Sequence, residues 1–145
     1  MAYQPKPATP QTVAANREAV ARYAMDDRRD FAATDKGLIA PFTEKLHDAE
    51  GRVIFDPAVF DYIADDAPAP DTVEPSLWRQ SQLITKGGLF KVVDGIYQVR
   101  NTDIANLTVV EGPDGLVVID CMTSVEAAAQ SSPSTSPATR QPTPT

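Results

Sequence analysis

The sequence predicts an α+β fold in which N-terminal helices precede the first β-hairpins of a layered domain that is incomplete. Two observations predict it. Before Gly88 the apolar residues recur with a period of about 3.6 residues, as in an amphipathic helix, and after it with a period of about 2, as in a strand. The strand region also contains two alternating runs joined by Asp94-Gly95, a strong short-range hairpin signal.

Three helix starts are predicted where a capping side chain is followed directly by proline. The first helix is expected to run to about Met25. The third is expected to end at Gly87-Gly88, because glycine readily adopts the left-handed conformation of a C-cap. The three starts are Thr9-Pro10, Asp56-Pro57 and Glu74-Pro75.

Two hairpins follow the third helix. The first joins Leu89–Val93 to Ile96–Arg100 through Asp94-Gly95. The second joins Leu107–Glu111 to Leu116–Asp120 through a longer turn. Because its strands are apolar at consecutive positions, we expect the second hairpin to be buried on both faces.

The end of the chain changes character abruptly. The helical pattern of 125–130 is too short to be stable by itself. Twelve of the 15 residues in 131–145 are Ser, Thr or Pro, so a disordered tail is expected there, as is a disordered start over 1–8. A frameshift is one hypothesis for this change.

The bulk properties exclude several function classes. A net charge of −7 argues against nucleic acid or an anionic membrane as a partner. No apolar run is long enough for a membrane span, and the start lacks the apolar segment of a signal peptide. One cysteine excludes an internal disulfide. We therefore expect a cytoplasmic chain, although a full-length form could be periplasmic or secreted.

Short sequence blocks follow one another in a fixed order between about Asp30 and Ala128. The blocks are Gly37–Ala40, Ala69–Val73, Pro75–Gln80, Gly88–Phe90, Gly95–Arg100, Asp103, Asn106–Thr108, Glu111-Gly112 and Val118–Asp120. In this order they resemble the bacterial alkylsulfatases of the linear primary-alkylsulfatase type, which are metallo-β-lactamase-fold hydrolases. The resemblance implies a helical extension over 9–86 and, over 87–130, the opening strands and first helix turn of an αββα sandwich.

In that family, a His-x-His-x-Asp-His motif follows and helps to bind two zinc ions, with which the enzymes hydrolyse primary alkyl sulfate esters such as dodecyl sulfate. This chain stops resembling the family before that motif and contains a single histidine, His47. No catalytic residue and no metal ligand is therefore assigned in it, and activity by the chain alone is not expected. The alkyl sulfate substrate, the zinc ions and the homodimerisation region belong to the complete enzyme.

Several residues have both a functional and a structural interpretation. Asp120 could support zinc ligands from a distance or, as we favour, cap the helix that starts near Thr123. Trp78 is expected to be a packing anchor rather than a contact for the substrate chain. Cys121 is expected to be a small buried side chain rather than a nucleophile, and His47 a solvated loop residue. We interpret the pairs Asp26-Asp27 and Asp65-Asp66 as solvated charge.

Two departures from the family pattern lie at strand ends. Asn101 stands where the resemblance implies glycine, and Cys121 where it implies proline. Two alternatives to an alkylsulfatase fragment remain. One is a non-catalytic β-rich module that binds a partner through exposed strands. The other is a metallo-β-lactamase-fold hydrolase with another substrate, which would not account for the block over 69–80.

Overall fold

The structure is a computed structural model that describes residues 6–131. Helices and three short strands alternate with loops in its first half, four longer strands lie in its second half, and a helix ends it. The predicted disordered start and tail lie largely outside the described residues. The helices are α1 (Pro10–Arg22), α2 (Arg29–Thr34), α3 (Pro75–Ile84) and α4 (Val125–Ser131), with a 3-10 helix over Pro57–Phe60.

The strands of the described chain form two antiparallel sheets. The larger has the order β1-β4-β5-β6-β7, and the smaller pairs β2 with β3. The α+β class is thus confirmed. The strands are β1 (Leu38–Pro41), β2 (Leu46–His47), β3 (Val53–Phe55), β4 (Gly88–Val93), β5 (Ile96–Arg100), β6 (Leu107–Gly112) and β7 (Gly115–Ile119).

All three predicted helix starts are confirmed by their capping bonds. The side chain of Thr9 accepts a hydrogen bond from the N–H of Thr12 at 3.2 Å. The Asp56 carboxylate accepts from the N–H of Ala58 at 3.1 Å, so this start opens a 3-10 helix. The Glu74 carboxylate accepts from the N–H of Leu77 at 2.8 Å. Each cap satisfies a backbone N–H that has no partner within its own helix.

Two predicted helix ends are wrong. The first helix ends at Arg22 rather than near Met25, because Tyr23 already has an extended backbone. The third ends at Ile84, where Thr85 keeps a right-handed backbone. Gly88 instead begins β4 with φ +150°, and a Cβ there would lie 2.3 Å from the carbonyl oxygen of Ala40. Glycine at this position therefore allows close strand approach and does not cap a helix.

Both hairpins form as predicted, with one difference in turn length. Gly95 has φ +75° in the turn between β4 and β5, and Val93 pairs with Ile96. In the second hairpin Gly112 pairs with Gly115. Only two residues lie between this pair, so the second turn is shorter than the sequence suggested.

The predicted burial of the second hairpin on both faces is wrong for β7. All five residues of β7 are exposed, whereas in β6 Leu107 and Val109 are buried. The buried cluster of the sheet consists of Val99, Leu107 and Val109. The physical reason is position, because β7 is the edge strand of the sheet and nothing among residues 6–131 covers it.

The last helix, α4, is stabilised by contacts that its short length does not predict. The Ser124 hydroxyl accepts a hydrogen bond from the N–H of Ala127 at 3.1 Å, which caps the helix start. Ala127 is only 2% exposed, and α4 packs against β2. Ser131, predicted to begin the disordered tail, is the last residue of this helix and is buried. Tertiary packing therefore supplies what a short helix lacks.

Candidate functional site

A cavity of about 820 Å³ lies between the N-terminal half of the chain and the sheet. Residues of β2, β3, α3 and α4 line it, together with the loop between β5 and β6. Much of the lining is apolar, and a group of polar side chains comes from the start of that loop. The apolar residues include Leu46, Ile54, Phe55, Phe60, Leu83 and Ile84, and the polar ones Lys86, Arg100, Asn101, Thr102, Asp103 and Asn106.

Asp103 fastens the β5–β6 loop to the segment that follows β7. One of its carboxylate oxygens accepts hydrogen bonds from the N–H of Thr123 at 2.6 Å and from the Thr123 hydroxyl at 2.7 Å. The other accepts from the N–H of Ile104 at 2.5 Å. Partial burial alone would raise the pKa of Asp103, but these donors outweigh it and hold the pKa below its usual value. We call Asp103 and its hydrogen bonds to Thr123 and Ile104 the Asp103 clasp, because they hold the β5–β6 loop against the segment after β7.

Asn101 links the end of β5 to the end of α3, and Arg100 packs on the neighbouring strand β4. Asn101 has φ +53°, in the left-handed region that asparagine tolerates better than most residues, so it fits where the family resemblance implies glycine. Its side-chain amide donates to the carbonyl of Thr85 at 3.1 Å. The guanidinium of Arg100 lies 4.3 Å from the ring centre of the buried Phe90. These contacts fix the polar wall of the cavity.

Trp78 is a packing anchor, as its position in the sequence suggested. It is 7% exposed, and its indole N–H donates to the carbonyl of Ala67 at 2.8 Å. Gln82, one turn later, donates to the same carbonyl at 3.1 Å and to that of Ala64 at 2.5 Å. Side chains on the buried face of α3 therefore hold the preceding loop against the helix by hydrogen bonds. Gln82 was not singled out from the sequence.

Asp120 and Cys121 lie in an exposed loop rather than beside a buried strand. The Asp120 carboxylate accepts from the N–H of Met122 at 3.0 Å, and Asp120 has φ +66°. The predicted capping of α4 is provided by Ser124 instead, so the structural role of Asp120 is to hold this turn. Cys121 is exposed, so its predicted burial is wrong. The proposed support of zinc ligands by Asp120 stays a prediction.

The remaining polar residues do not come together as a site. His47 is exposed, as expected, although it lies in β2 rather than in a loop. Asp27 pairs with Arg29, whose guanidinium lowers the pKa of that carboxyl to about 2. Asp65 pairs with Lys86 at 2.5 Å. Each acidic pair thus contributes one carboxylate to a local ion pair.

The described residues do not fit a zinc centre. Between residues 6 and 131, no group of three or more His, Cys, Asp or Glu side chains lies close enough together to hold a metal ion. The single histidine of the chain, His47, is on the small sheet and belongs to no such group. No helix in that range is long and apolar enough to cross a membrane.

No protein-family model matches the chain, but alkylsulfatases match it in sequence and in structure. The chain is 48% identical to the linear primary-alkylsulfatase of Pseudomonas sp over 85% of its own length, which is 18% of the relative. It is 46% identical to the (R)-specific secondary-alkylsulfatase of Pseudomonas sp, with the same coverage. It is also 39% identical to the alkyl/aryl-sulfatase BDS1 of Saccharomyces cerevisiae over 87% of the chain and 20% of that protein.

A solved structure agrees with these sequence matches. The stereoselective inverting sec-alkylsulfatase Pisa1 of Pseudomonas sp superposes with a TM-score of 0.79 at 44% identity, covering 89% of this chain and 20% of that one. The chain therefore spans about a fifth of the length of the relatives that it matches. The resemblance inferred from the sequence blocks is confirmed: over most of its length this chain matches a segment of the alkylsulfatases.

Proposed function

We propose that the chain is the helical extension and opening strand region of an alkylsulfatase-like zinc hydrolase and is inactive by itself. In the complete enzyme, the reaction is the hydrolysis of primary alkyl sulfate esters to alcohol and sulfate. The observation that carries the proposal is the 48% identity to a linear primary-alkylsulfatase over 85% of this chain but only 18% of the relative.

The chemistry of the described residues supports the inactive part of this proposal. Sulfate ester hydrolysis of this type depends on zinc ions that activate water and polarise the ester oxygens. Zinc ligands of that kind are imidazoles and carboxylates, and residues 6–131 bring no suitable cluster of them together. We further propose that the strands correspond to the opening of a metallo-β-lactamase αββα sandwich, completed by a part of the enzyme that this chain does not match.

The test is sulfate release from a short primary alkyl sulfate below its micelle concentration, with and without added Zn²⁺. The wild-type chain is expected to show no turnover and no tight zinc binding by equilibrium dialysis. The His47→Ala variant serves as the control, because His47 is the only imidazole. Zinc-dependent turnover by the wild-type chain that disappears in His47→Ala would overturn the proposal.

A second candidate is a non-catalytic module that binds a partner through its exposed strand. The observation that favours it is β7, an apolar strand whose residues are all exposed. A module selected to act alone should be monodisperse and unfold cooperatively. A segment of a larger enzyme should self-associate through the strand edge that it leaves open. Sedimentation and thermal unfolding of the purified chain separate the two.

A further inference from the structure

The cavity between the N-terminal half of the chain and the sheet combines an apolar lining with a net positive charge. Its volume of about 820 Å³ lies within the range of small-molecule sites, about 300–1,000 Å³. Side chains of β2, β3, the 3-10 helix and α3 supply much of the apolar part. Although the whole chain has a net charge of −7, the charged residues of this lining are two cations and one carboxylate, namely Lys86, Arg100 and Asp103. The lining therefore favours an anion with an apolar body.

Arg100 is the cation of this lining that has no carboxylate partner among residues 6–131. Lys86 is paired with Asp65, whose Oδ2 lies 2.5 Å from the Lys86 Nζ. The carboxylate of Asp103 is engaged in the Asp103 clasp. Arg100 itself donates through Nε to the side-chain oxygen of Gln98 at 2.7 Å, and this acceptor is neutral. A half-buried cation without a counter-ion is well suited to bind an anion.

The guanidinium of Arg100 is held in place by contacts within the chain. Its centre lies 4.3 Å from the ring centre of Phe90, which is 1% exposed. The hydrogen bond to Gln98 fixes the Nε side of the group. The two terminal nitrogens remain, and together they present a fork of N–H groups from which the two oxygens of a carboxylate can accept. A fork that is already fixed loses little conformational entropy on binding.

We propose that this cavity binds a medium-chain aliphatic carboxylate, with its head group on Arg100 and its tail against the apolar lining. Thr102, also in the lining and only 4% exposed, has a hydroxyl without a hydrogen-bond partner among residues 6–131. The head group offers the acceptor that this buried hydroxyl lacks. The two oxygens of a carboxylate are satisfied by these donors. The third oxygen of a sulfate head would need a further charged donor, and Lys86 is already bound to Asp65.

The apolar part of the lining includes large side chains that the chain itself leaves exposed. Ile54 is 42% exposed, Ile84 57% and Ile104 95%. An aliphatic tail that covers them removes apolar surface from water on both partners. Each methylene that is buried in this way strengthens binding by up to about fourfold. The affinity of the site should therefore rise with the length of the tail.

The experiment titrates the full chain with decanoate, below its micelle concentration and without zinc, by isothermal titration calorimetry. A single saturable site is expected. Octanoate, which has two methylenes fewer, should bind about five- to tenfold more weakly. Decanol, which has no charge, and decyl sulfate, which has a different head group, should each bind at least about tenfold more weakly than decanoate.

Two pairs of variants locate the ligand in the cavity. Arg100→Gln removes the unpaired cation and should weaken decanoate binding at least about tenfold. Its control, Arg22→Gln, removes the same charge from α1, outside the lining, and should leave binding unchanged. Ile54→Ser removes an apolar side chain of the lining and should weaken binding about fivefold. Its control is Val53→Ser at the adjacent position of β3, which is 50% exposed and outside the lining.

The proposal is overturned if decanoate shows no saturable binding, or if decanol or decyl sulfate binds as tightly as decanoate. It is also overturned if Arg100→Gln weakens binding no more than Arg22→Gln, or Ile54→Ser no more than Val53→Ser. Should Arg100→Gln not fold, the series of head groups and the variants of residues 53 and 54 decide. These measurements involve neither zinc nor turnover, so a failure to bind decanoate leaves the proposed function standing.

Discussion

One face of α3 and the strand β7 differ in burial, because within residues 6–131 the face of α3 is covered and β7 is open. Around α3, Trp78 and Gln82 are 7% and 4% exposed, and their polar atoms reach the loop carbonyls of Ala64 and Ala67. In β7, the apolar side chains of Leu116–Ile119 are about half exposed. The covered face of α3 is therefore packed by residues of this chain. The sheet ends on a strand that has the composition of an interior strand and the position of an edge.

The difference shows which region of the chain gains stability from burial and which does not. Burial stabilises the α3 region within this chain, while the burial of β7 remains available for another polypeptide. Substitutions should accordingly be costly near α3 and nearly neutral in β7. Urea denaturation measures the free energies of unfolding, and buried or crowded positions of the chain have open positions that serve as matched controls.

The largest effect is expected for Trp78→Ala. This change removes a buried indole and its hydrogen bond to Ala67, so the free energy of unfolding should fall by about 3–5 kcal/mol. The control is Leu77→Ala at the adjacent position, where the side chain is 58% exposed and the expected loss is below about 1 kcal/mol. Similar losses for the two variants would mean that α3 does not pack as described.

Two glycine substitutions test how closely the chain beside β1, at the other edge of the sheet, approaches the backbone of β4. Gly37 has φ +74°, and a Cβ there would lie 2.1 Å from the carbonyl oxygen of Lys91 in β4. Gly51 has φ +81° and open space around it. Gly51→Ala should cost about 1 kcal/mol for the left-handed backbone alone, and Gly37→Ala about 3 kcal/mol because of the added clash. Equal costs would show that β1 does not approach β4 so closely.

Two valines that pair across β6 and β7 allow the effect of burial to be compared for the same side chain on the same face of the sheet. Val109 in β6 is 7% exposed, and its cross-strand partner Val118 in β7 is 47% exposed on the same face. Val109→Ala should lower the free energy of unfolding by about 2 kcal/mol, and Val118→Ala by less than about 0.5 kcal/mol. A loss at Val118 as large as that at Val109 would contradict the exposed state of β7.

The smallest effect is expected at the Asp103 clasp. Its hydrogen bonds to Thr123 and Ile104 lower the pKa of Asp103 in the folded chain. The stabilisation is therefore fully present above the pKa of the unfolded carboxyl and is lost as the pH falls through the folded pKa. Asp103→Asn should lower the free energy of unfolding by about 1 kcal/mol at pH 7 and flatten its decline in acid.

Asp114, an exposed carboxylate in the turn between β6 and β7, provides the control for the clasp. Asp114→Asn should leave the free energy of unfolding at pH 7 unchanged. If Asp103→Asn lowers the free energy of unfolding no more than Asp114→Asn does, the clasp contributes nothing measurable.

The sequence predicted those features that depend on neighbouring residues. The caps Thr9, Asp56 and Glu74 act within a few residues of themselves, and the Asp94-Gly95 turn needs only its own two positions. Trp78 could be identified as an anchor because a large aromatic side chain lay in a helical pattern. The alkylsulfatase resemblance, too, was carried by blocks within the chain.

Features that depend on distant residues could not be predicted in the same way. The bond between Asp103 and Thr123 spans 20 positions, and the pairing of β1 with β4 brings Leu38 to Phe90. Nothing local signals either contact. The prediction that β7 is buried was wrong for a different reason. An apolar strand predicts that other layers of structure cover both of its faces, but it does not tell which residues form those layers.

Residues 6–131 leave β7 uncovered although its composition is that of an interior strand. Amide hydrogen exchange of the full chain measures whether this edge is open. The amides of β5, held between β4 and β6, should exchange slowly, and those of β7 much faster by local opening. If the amides of β7 were protected as strongly as those of β5, another part of the chain would be covering the edge, and β7 would not be an open edge strand.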